Sequence, residues 1–187
     1  LEIDYLNEKY PILRFPEGEY ETLSGYIVMT SGEIPEMGKD FEMDDYINAL
    51  DCFEKYHSLS RQMADKQGLI LASDNLGTVY LNQGQYDQSL EYFSFALALA
   101  KELGNREDQG RVLGHLGNYH KQLGDHAKAI DYYQQAIKIT EEINSKYFLC
   151  YALHNLAELH YCLEAFEEAE KLNPKALGIA MEIQSKE

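Results

Sequence analysis

Histidine, cysteine and carboxylate side chains are the groups in this sequence that could ligate a metal or transfer a proton. No two of the six histidines are four residues apart, the spacing that places two imidazoles on one face of a helix. Carboxylate pairs such as Glu141-Glu142 fall on faces predicted to be solvated. The sequence also lacks the phosphate-binding motifs G-x-x-x-x-G-K-[ST] and G-x-G-x-x-G and the nucleophile motif G-x-S-x-G. We therefore expect no catalytic site, no metal and no cofactor, and predict that the protein is not an enzyme.

Cysteine usage and net charge restrict the compartment and the partners. Cys52, Cys150 and Cys162 form no C-x-x-C pair, and Cys150 and Cys162 would lie about 18 Å apart along one helix, too far to bridge within it. We predict buried, reduced thiols and a cytoplasmic location. The net charge of −16 disfavours a nucleic acid or an anionic membrane as the partner and favours basic or neutral proteins. No apolar run approaches the ~20 residues needed to span a bilayer, and no secretory signal begins the chain.

The elements that must position these groups repeat every 40 residues. The shift aligns Leu76-Gly77 with Leu116-Gly117 and Leu156-Ala157. Self-similarity at a fixed period of this size predicts a solenoid. Residues 46–187 are therefore predicted to form a repeat domain, and residues 1–45, which have 12 acidic and 3 basic side chains, a separate acidic segment.

Helix boundaries follow from capping residues. Asp65, Asn105 and Ser145 recur at the repeat spacing as predicted N-caps. The left-handed residue that closes a helix is expected at four positions, Gly84, Gly104, Gly124 and Asn144. Loops of two or three residues then require antiparallel helical hairpins. The predicted helices are 44–64, 66–83, 86–103, 106–123, 126–143, 146–163 and 166–184.

The repeat resembles the tetratricopeptide repeat, which places Leu-Gly-x-x-Tyr on its first helix and Ala-x-x-x-Phe on its second. The corresponding residues are Leu76-Gly77-x-x-Tyr80 with Ser89-x-x-x-Phe93, Leu116-Gly117-x-x-His120 with Ala129-x-x-x-Tyr133, and Leu156-Ala157-x-x-His160 with Ala169-x-x-x-Asn173. The 40-residue period is similar to the longer repeats of kinesin light chain, of the Leu-Gly-Asn repeat proteins and of bacterial sensor arms. This resemblance implies an all-α solenoid that binds a peptide or protein in a concave groove lined by the first helices.

Two deviations from the repeat carry further expectations. His120 and His160 take the place of Tyr80, so we expect packed core histidines. In the last repeat Asn173 replaces the aromatic residue and Pro174 lies inside the predicted helix. Because proline removes a hydrogen bond and clashes with the preceding turn, we predict a kink or break near residues 171–174.

The groove residues are predicted from the angular position of each side chain on the first helices. Nine polar or aromatic residues are expected to face the concave surface and to bind the peptide, Asp74, Thr78, Asn82, Arg111, Asn118, Gln122, Tyr151, His154 and Glu158, with Cys162 beside them. Ordinary solvent-facing positions are the alternative. A clamp for a C-terminal carboxylate is disfavoured, because only Arg111, Asn118 and Lys121 are available for it.

The acidic segment resembles the first part of the CorC/HlyC transporter-associated domain. The residues that carry the resemblance are IDYLNEKY at 3–10 and LRFPEGEYETLSGYIVMTSGEIPEMGKDFEMDDY at 13–46. It implies a regulatory, cytosolic part of a transport protein. A helical cap over the open end of the solenoid is the simpler alternative, with helices expected at 3–10 and about 20–29.

The leading hypothesis is an interaction scaffold that captures a peptide or helix of a partner protein. The alternatives are a transport-associated regulatory segment and the sensor arm of a bacterial signalling protein. Because each repeat buries its apolar face against a neighbour, an exposed end of the array is also expected to support a homodimer.

Overall fold

The computed structural model describes residues 43–184, with side chains described from residue 49 to residue 183. This part of the chain is all-α, with no strand, as predicted, and each helix begins and ends within two residues of its predicted boundary. The helices are α1 (Met43–Gln62), α2 (Lys66–Asn82), α3 (Tyr86–Glu102), α4 (Arg106–Gln122), α5 (His126–Glu142), α6 (Lys146–Cys162) and α7 (Phe166–Gln184). The helices expected at 3–10 and 20–29 lie outside the described residues.

The chain divides into two units, residues 1–51 and residues 52–187, and the description below concerns the second unit. The domain boundary predicted between residues 45 and 46 stays a prediction. No helix in the described range is long and apolar enough to cross a membrane.

The helix starts follow the predicted capping at two of three positions. The Asp65 carboxylate accepts a hydrogen bond from the Gly68 N–H at 3.0 Å, and the Asn105 side-chain oxygen accepts one from the Asp108 N–H at 3.1 Å. Each bond satisfies a backbone donor that has no partner within the helix. Ser145 lies at the N-cap position of α6, as predicted, but its side chain makes no capping hydrogen bond.

The helix ends use a left-handed residue at every repeat position. Gly84, Gly104 and Gly124 have φ values of 72°, 65° and 74°, and Asn144 has 55°, which confirms the four predicted positions. The equivalent positions are Ala64 (φ 55°), between α1 and α2, and Glu164 (φ 59°), between α6 and α7. Residues with side chains of these types rarely adopt this conformation. The reversal of the chain is therefore set by backbone geometry rather than by residue type alone.

A glycine–aromatic contact fixes the distance between the two helices of a hairpin. A Cβ atom added to Gly77 would lie 2.6 Å from the Phe93 ring, and one added to Gly117 would lie 2.4 Å from the Tyr133 ring. Both rings are completely buried. In the third hairpin Ala157 takes the place of the glycine, and an exposed Asn173 takes the place of the aromatic residue. The alanine methyl group is therefore present only where the opposing ring is absent.

Helix α7 runs unbroken from Phe166 to Gln184 across Pro174, so the predicted break was wrong. Buried Ala169 and Ala176 flank the proline, and Leu172 packs against the core between them. These contacts hold both halves of the helix although proline removes one backbone hydrogen bond. The kink near residues 171–174 stays a prediction.

The histidine and cysteine expectations were correct in part. His120 is buried and stacks on the Tyr132 ring, with ring centres 5.1 Å apart, as expected for a core histidine. Burial lowers the pKa of His120 because the charged imidazolium is less well solvated there, and the nearby Lys128 ammonium lowers it further. His160 is only half-buried. The thiol of Cys162 is exposed rather than buried, whereas Cys52 and Cys150 are half-buried.

Candidate functional site

The first helices lie side by side, because α2 contacts α4 and α4 contacts α6. The surface that these three helices share is called the groove below. A pocket of about 210 Å³ opens in its centre. Five of the nine predicted site residues line this pocket, Thr78, Asn82, Asn118, Gln122 and Tyr151. All three first helices therefore contribute to a single concavity.

Asp74 lies beneath the groove rather than on its surface. Its side chain is 2% exposed, with the Arg111 Nε 2.9 Å from one carboxylate oxygen and the His115 Nδ1 2.8 Å from the other. The prediction that Asp74 faces a ligand was wrong, because it treated α2 alone and α4 covers this side chain. Asp74 instead holds two groups of α4 in place.

Arg111 is also committed to neighbours within the protein. Besides Asp74, it approaches the Asp108 carboxylate, with Nη2 2.7 Å from the oxygen. These are ion pairs rather than aligned hydrogen bonds, because the Nε and Nη2 donors are buried without an acceptor in line. Gln67 and Asn105 each donate a hydrogen bond, at 2.6 Å, to the other oxygen of the Asp108 carboxylate. Polar contacts thus connect α2, α4 and the turn between α3 and α4.

Asn118 is held in one orientation at the base of the pocket. The Tyr133 hydroxyl donates a hydrogen bond to its side-chain oxygen, and its amide nitrogen donates one to the Tyr151 hydroxyl. Burial raises the pKa of both Tyr133 and Tyr151, so both phenols stay protonated near neutral pH. The orientation of the amide follows from these bonds, and its second N–H is left for another acceptor.

The remaining predicted residues, His154 and Glu158, are exposed on α6 outside the pocket lining. The Glu158 carboxylate forms an ion pair with the Lys121 ammonium at 2.7 Å, which connects α6 to α4. Exposed ion pairs of this kind contribute little to stability. Cys162 is likewise exposed and lies outside the pocket lining.

Three polar residues of the pocket were not among the nine predicted groove residues, His115, Lys121 and Asn155, although Lys121 was considered for the disfavoured carboxylate clamp. His115 and Asn155 are 40 residues apart and occupy the repeat position of Asn75, so a polar residue recurs there on all three first helices. That recurrence was the available signal. The Asn155 amide donates a hydrogen bond to the Tyr151 carbonyl at 2.8 Å, which leaves its side-chain oxygen as an acceptor.

The groove offers hydrogen-bonding amides and hydroxyls, with its charged groups largely neutralised by neighbours. Within residues 49–183, no three His, Cys, Asp or Glu side chains come close enough to hold a metal ion. A set of fixed donors and acceptors of this type is suited to recognition by hydrogen bonding.

Comparison with known families identifies the array. Residues 69–142 and 149–180 match two family models, each described as a tetratricopeptide repeat. The array is built of tetratricopeptide repeats. Residues 1–60 match the model described as the transporter associated domain, as the resemblance of the acidic segment predicted.

Two solved structures share the fold of this tetratricopeptide-repeat chain. One is the crystal structure of BtubC (BKLC) from P. vanneervenii, with 18% identity and a TM-score of 0.60 over 96% of this chain and 68% of that chain. The other is aspartyl phosphate phosphatase F from Bacillus subtilis, with 18% identity and a TM-score of 0.63 over 85% of this chain. This chain spans 45% of the phosphatase's length. No curated protein matches the sequence. The tetratricopeptide repeats support a helical-repeat scaffold for protein interaction, and the two solved structures support the fold.

Proposed function

We propose that this protein is a non-enzymatic scaffold that binds an extended peptide segment of a partner protein in the groove of α2, α4 and α6. One observation carries the proposal. Side-chain amides from three consecutive first helices, Asn82, Asn118, Gln122 and Asn155, line a single pocket of about 210 Å³. An extended peptide presents N–H and C=O groups along its length, and amide side chains can bind both.

The rigidity of the site favours binding. Asn118 is oriented by Tyr133 and Tyr151 before any ligand arrives, so less side-chain freedom is lost on association. The Thr78 hydroxyl donates to the Asp74 carbonyl at 3.1 Å, which leaves its oxygen as an acceptor for the ligand.

The charge of the groove and of the whole chain restricts the type of peptide that we expect to bind. The Asp74–Arg111 and Lys121–Glu158 pairs compensate charge within the groove, so neutral hydrogen bonding dominates there. The net charge of −16 repels nucleic acid and anionic membranes at long range. We therefore expect a basic or neutral peptide, encountered in the cytoplasm, with no cofactor.

Peptide selection tests the groove directly. A displayed library of random 12-residue peptides is selected against the protein, and the affinity of the selected peptides is measured by fluorescence anisotropy. Gln122→Arg and Asn82→Arg place a large charged side chain at exposed positions of the pocket lining, and each is expected to weaken binding at least tenfold, or about 1.4 kcal/mol. Gln134→Arg, at an exposed position of α5, is the matched control and should leave the affinity unchanged. Equal affinities for all variants, or a selection that yields no binder, would refute the groove proposal.

A second function is favoured by the match of residues 1–60 to the transporter associated domain. On this proposal the chain is a regulatory part of a transport protein and the repeats supply its partner-binding surface. The coding sequence upstream of Leu1 distinguishes the two. Membrane-spanning segments and CBS domains encoded there support transport regulation, and a start codon at this position counts against it.

A further inference from the structure

The outer face of α7 corresponds, by repeat position, to faces that are covered elsewhere in the array. Residues 97, 137 and 177 are equivalent at the 40-residue spacing and hold Leu97, Ile137 and Leu177. Leu97 and Ile137 are partly buried and pack against core clusters. Leu177 is 63% exposed. The same apolar position is thus covered twice and uncovered once.

The last hairpin carries the most exposed apolar side chains of the described part of the chain. The four large hydrophobic residues there that are more than 60% exposed all lie on α6 or α7, Tyr147, Tyr161, Leu177 and Met181. Met181 occupies the position of Glu141, whose carboxylate binds Lys175 at 2.5 Å. A charged residue in the inner hairpin is therefore replaced by an apolar one on α7, and the apolar face is wider at this end.

The two inner junctions show what covers such a face. Leu113 of α4 lies in the cluster against which Leu97 packs, and Leu153 of α6 lies in the cluster against which Ile137 packs. In both junctions a first helix supplies a leucine at the same repeat position. The covering element is an amphipathic helix in each case.

We propose that the outer face of α7, formed by Leu177 and Met181, binds an amphipathic helix of a partner protein that presents a leucine as α4 presents Leu113. The interface continues the two junctions already present in the array, with the partner's helix in the place of a first helix. This surface differs from the groove, which is formed by the opposite set of helices and by polar side chains.

Local shape at the face is compatible with close helix packing. A Cβ atom added to Gly178 would meet nothing within 4 Å, so the backbone of α7 is open to an approaching helix at this point. Small residues at a helix surface reduce the distance at which two helices pack. Leu177 and Met181, one helical turn apart, form the apolar stripe beside it.

The probe is a fluorescently labelled peptide with the sequence of residues 105–123, which contains α4 and its capping residues. Saturable binding to the protein is expected in fluorescence anisotropy. Leu177→Glu in the protein should weaken that binding at least tenfold, and Leu113→Glu in the peptide should have the same effect. Leu123→Glu in the protein is the matched control for Leu177→Glu and should leave the affinity unchanged, because Leu123 is also an exposed leucine (45%) and lies at the turn between α4 and α5. Gln122→Arg, which blocks the groove, should also leave the affinity for this peptide unchanged.

Three results would overturn the proposal. The first is the absence of saturable binding by the wild-type protein. The second is binding that Leu177→Glu does not weaken, since the peptide would then bind elsewhere or displace α4 itself. The third is a wild-type dimer in sedimentation that Leu177→Glu converts to a monomer, which would show that a second copy of the chain covers the face. Because Leu177 is exposed, Leu177→Glu should retain the wild-type circular dichroism spectrum and melting behaviour.

Discussion

Replacement of a helical glycine by alanine should have opposite effects at two positions of this fold. Gly117 lies against the buried ring of Tyr133, and an alanine Cβ would be 2.4 Å from a ring carbon, well inside van der Waals contact. Gly178 lies on the exposed face of α7, where a Cβ would meet nothing within 4 Å. The two substitutions are chemically identical and both lie inside helices, so only the surroundings differ.

The magnitude follows from two terms. Alanine favours a helix interior over glycine by about 1 kcal/mol, which applies at both positions. An extra methyl group in a well-packed core costs about 1–3 kcal/mol, which applies only at Gly117 because the Tyr133 ring has no free space to move into. Gly178→Ala should therefore stabilise the protein by about 1 kcal/mol. Gly117→Ala should be less stable than Gly178→Ala by about 1–3 kcal/mol.

Urea unfolding followed by circular dichroism at 222 nm measures both changes, and thermal melts provide a second readout. A difference of about 2 kcal/mol corresponds to roughly 4–8 °C between the two variants in a chain of this size. If Gly117→Ala proved as stable as Gly178→Ala, the glycine–aromatic contact would not set the spacing of the hairpin, and the explanation given for Ala157 opposite Asn173 would fail with it.

Four further substitutions test other features of the fold. Glu164→Gly should stabilise the fold by about 1 kcal/mol, because glycine adopts the left-handed conformation (φ 59°) without strain, and a lower urea midpoint would contradict this. Asp74→Ala should cost about 3–5 kcal/mol by removing a buried carboxylate that pairs with the Arg111 guanidinium and contacts the His115 ring. Glu102→Ala, which breaks an exposed ion pair with Lys66, should cost about 1 kcal/mol or less; equal losses would refute the ranking. The pKa of His120 is lowered in the folded state, so the unfolded chain takes up its proton first as pH falls. Folding stability should therefore decline below about pH 6.5, and His120→Phe should flatten that decline in urea unfolding measured across this range.

The helical-hairpin architecture follows from local signals and could be predicted. A glycine or asparagine closes four of the helices, and the spacing of leucine, glycine and aromatic residues is preserved over 40 residues. Such features depend on the backbone of one or two neighbouring turns. Pro174 was the exception, because burial of Ala169 and Ala176 against other helices outweighed the local cost of proline.

The groove was predicted less completely, because the position of a side chain on one helix does not reveal what the adjacent helix covers. Asp74 has the angular position of a surface residue, yet Arg111 and His115 of the next helix bury it. Asn118 lines the pocket, but its fixed orientation depends on Tyr133 and Tyr151, which lie on two other helices. Contacts between repeats, unlike those within one, need the three-dimensional arrangement.

The most direct test of peptide binding in the groove is to map a selected peptide onto the protein by NMR. Amide and side-chain resonances are assigned, and their shifts are followed as the peptide is added. The groove proposal predicts the largest shifts at Thr78, His115, Asn118, Gln122 and Tyr151, with fast or slow exchange according to the affinity. Shifts confined to α3 and α5, with these five residues unchanged at saturation, would contradict it.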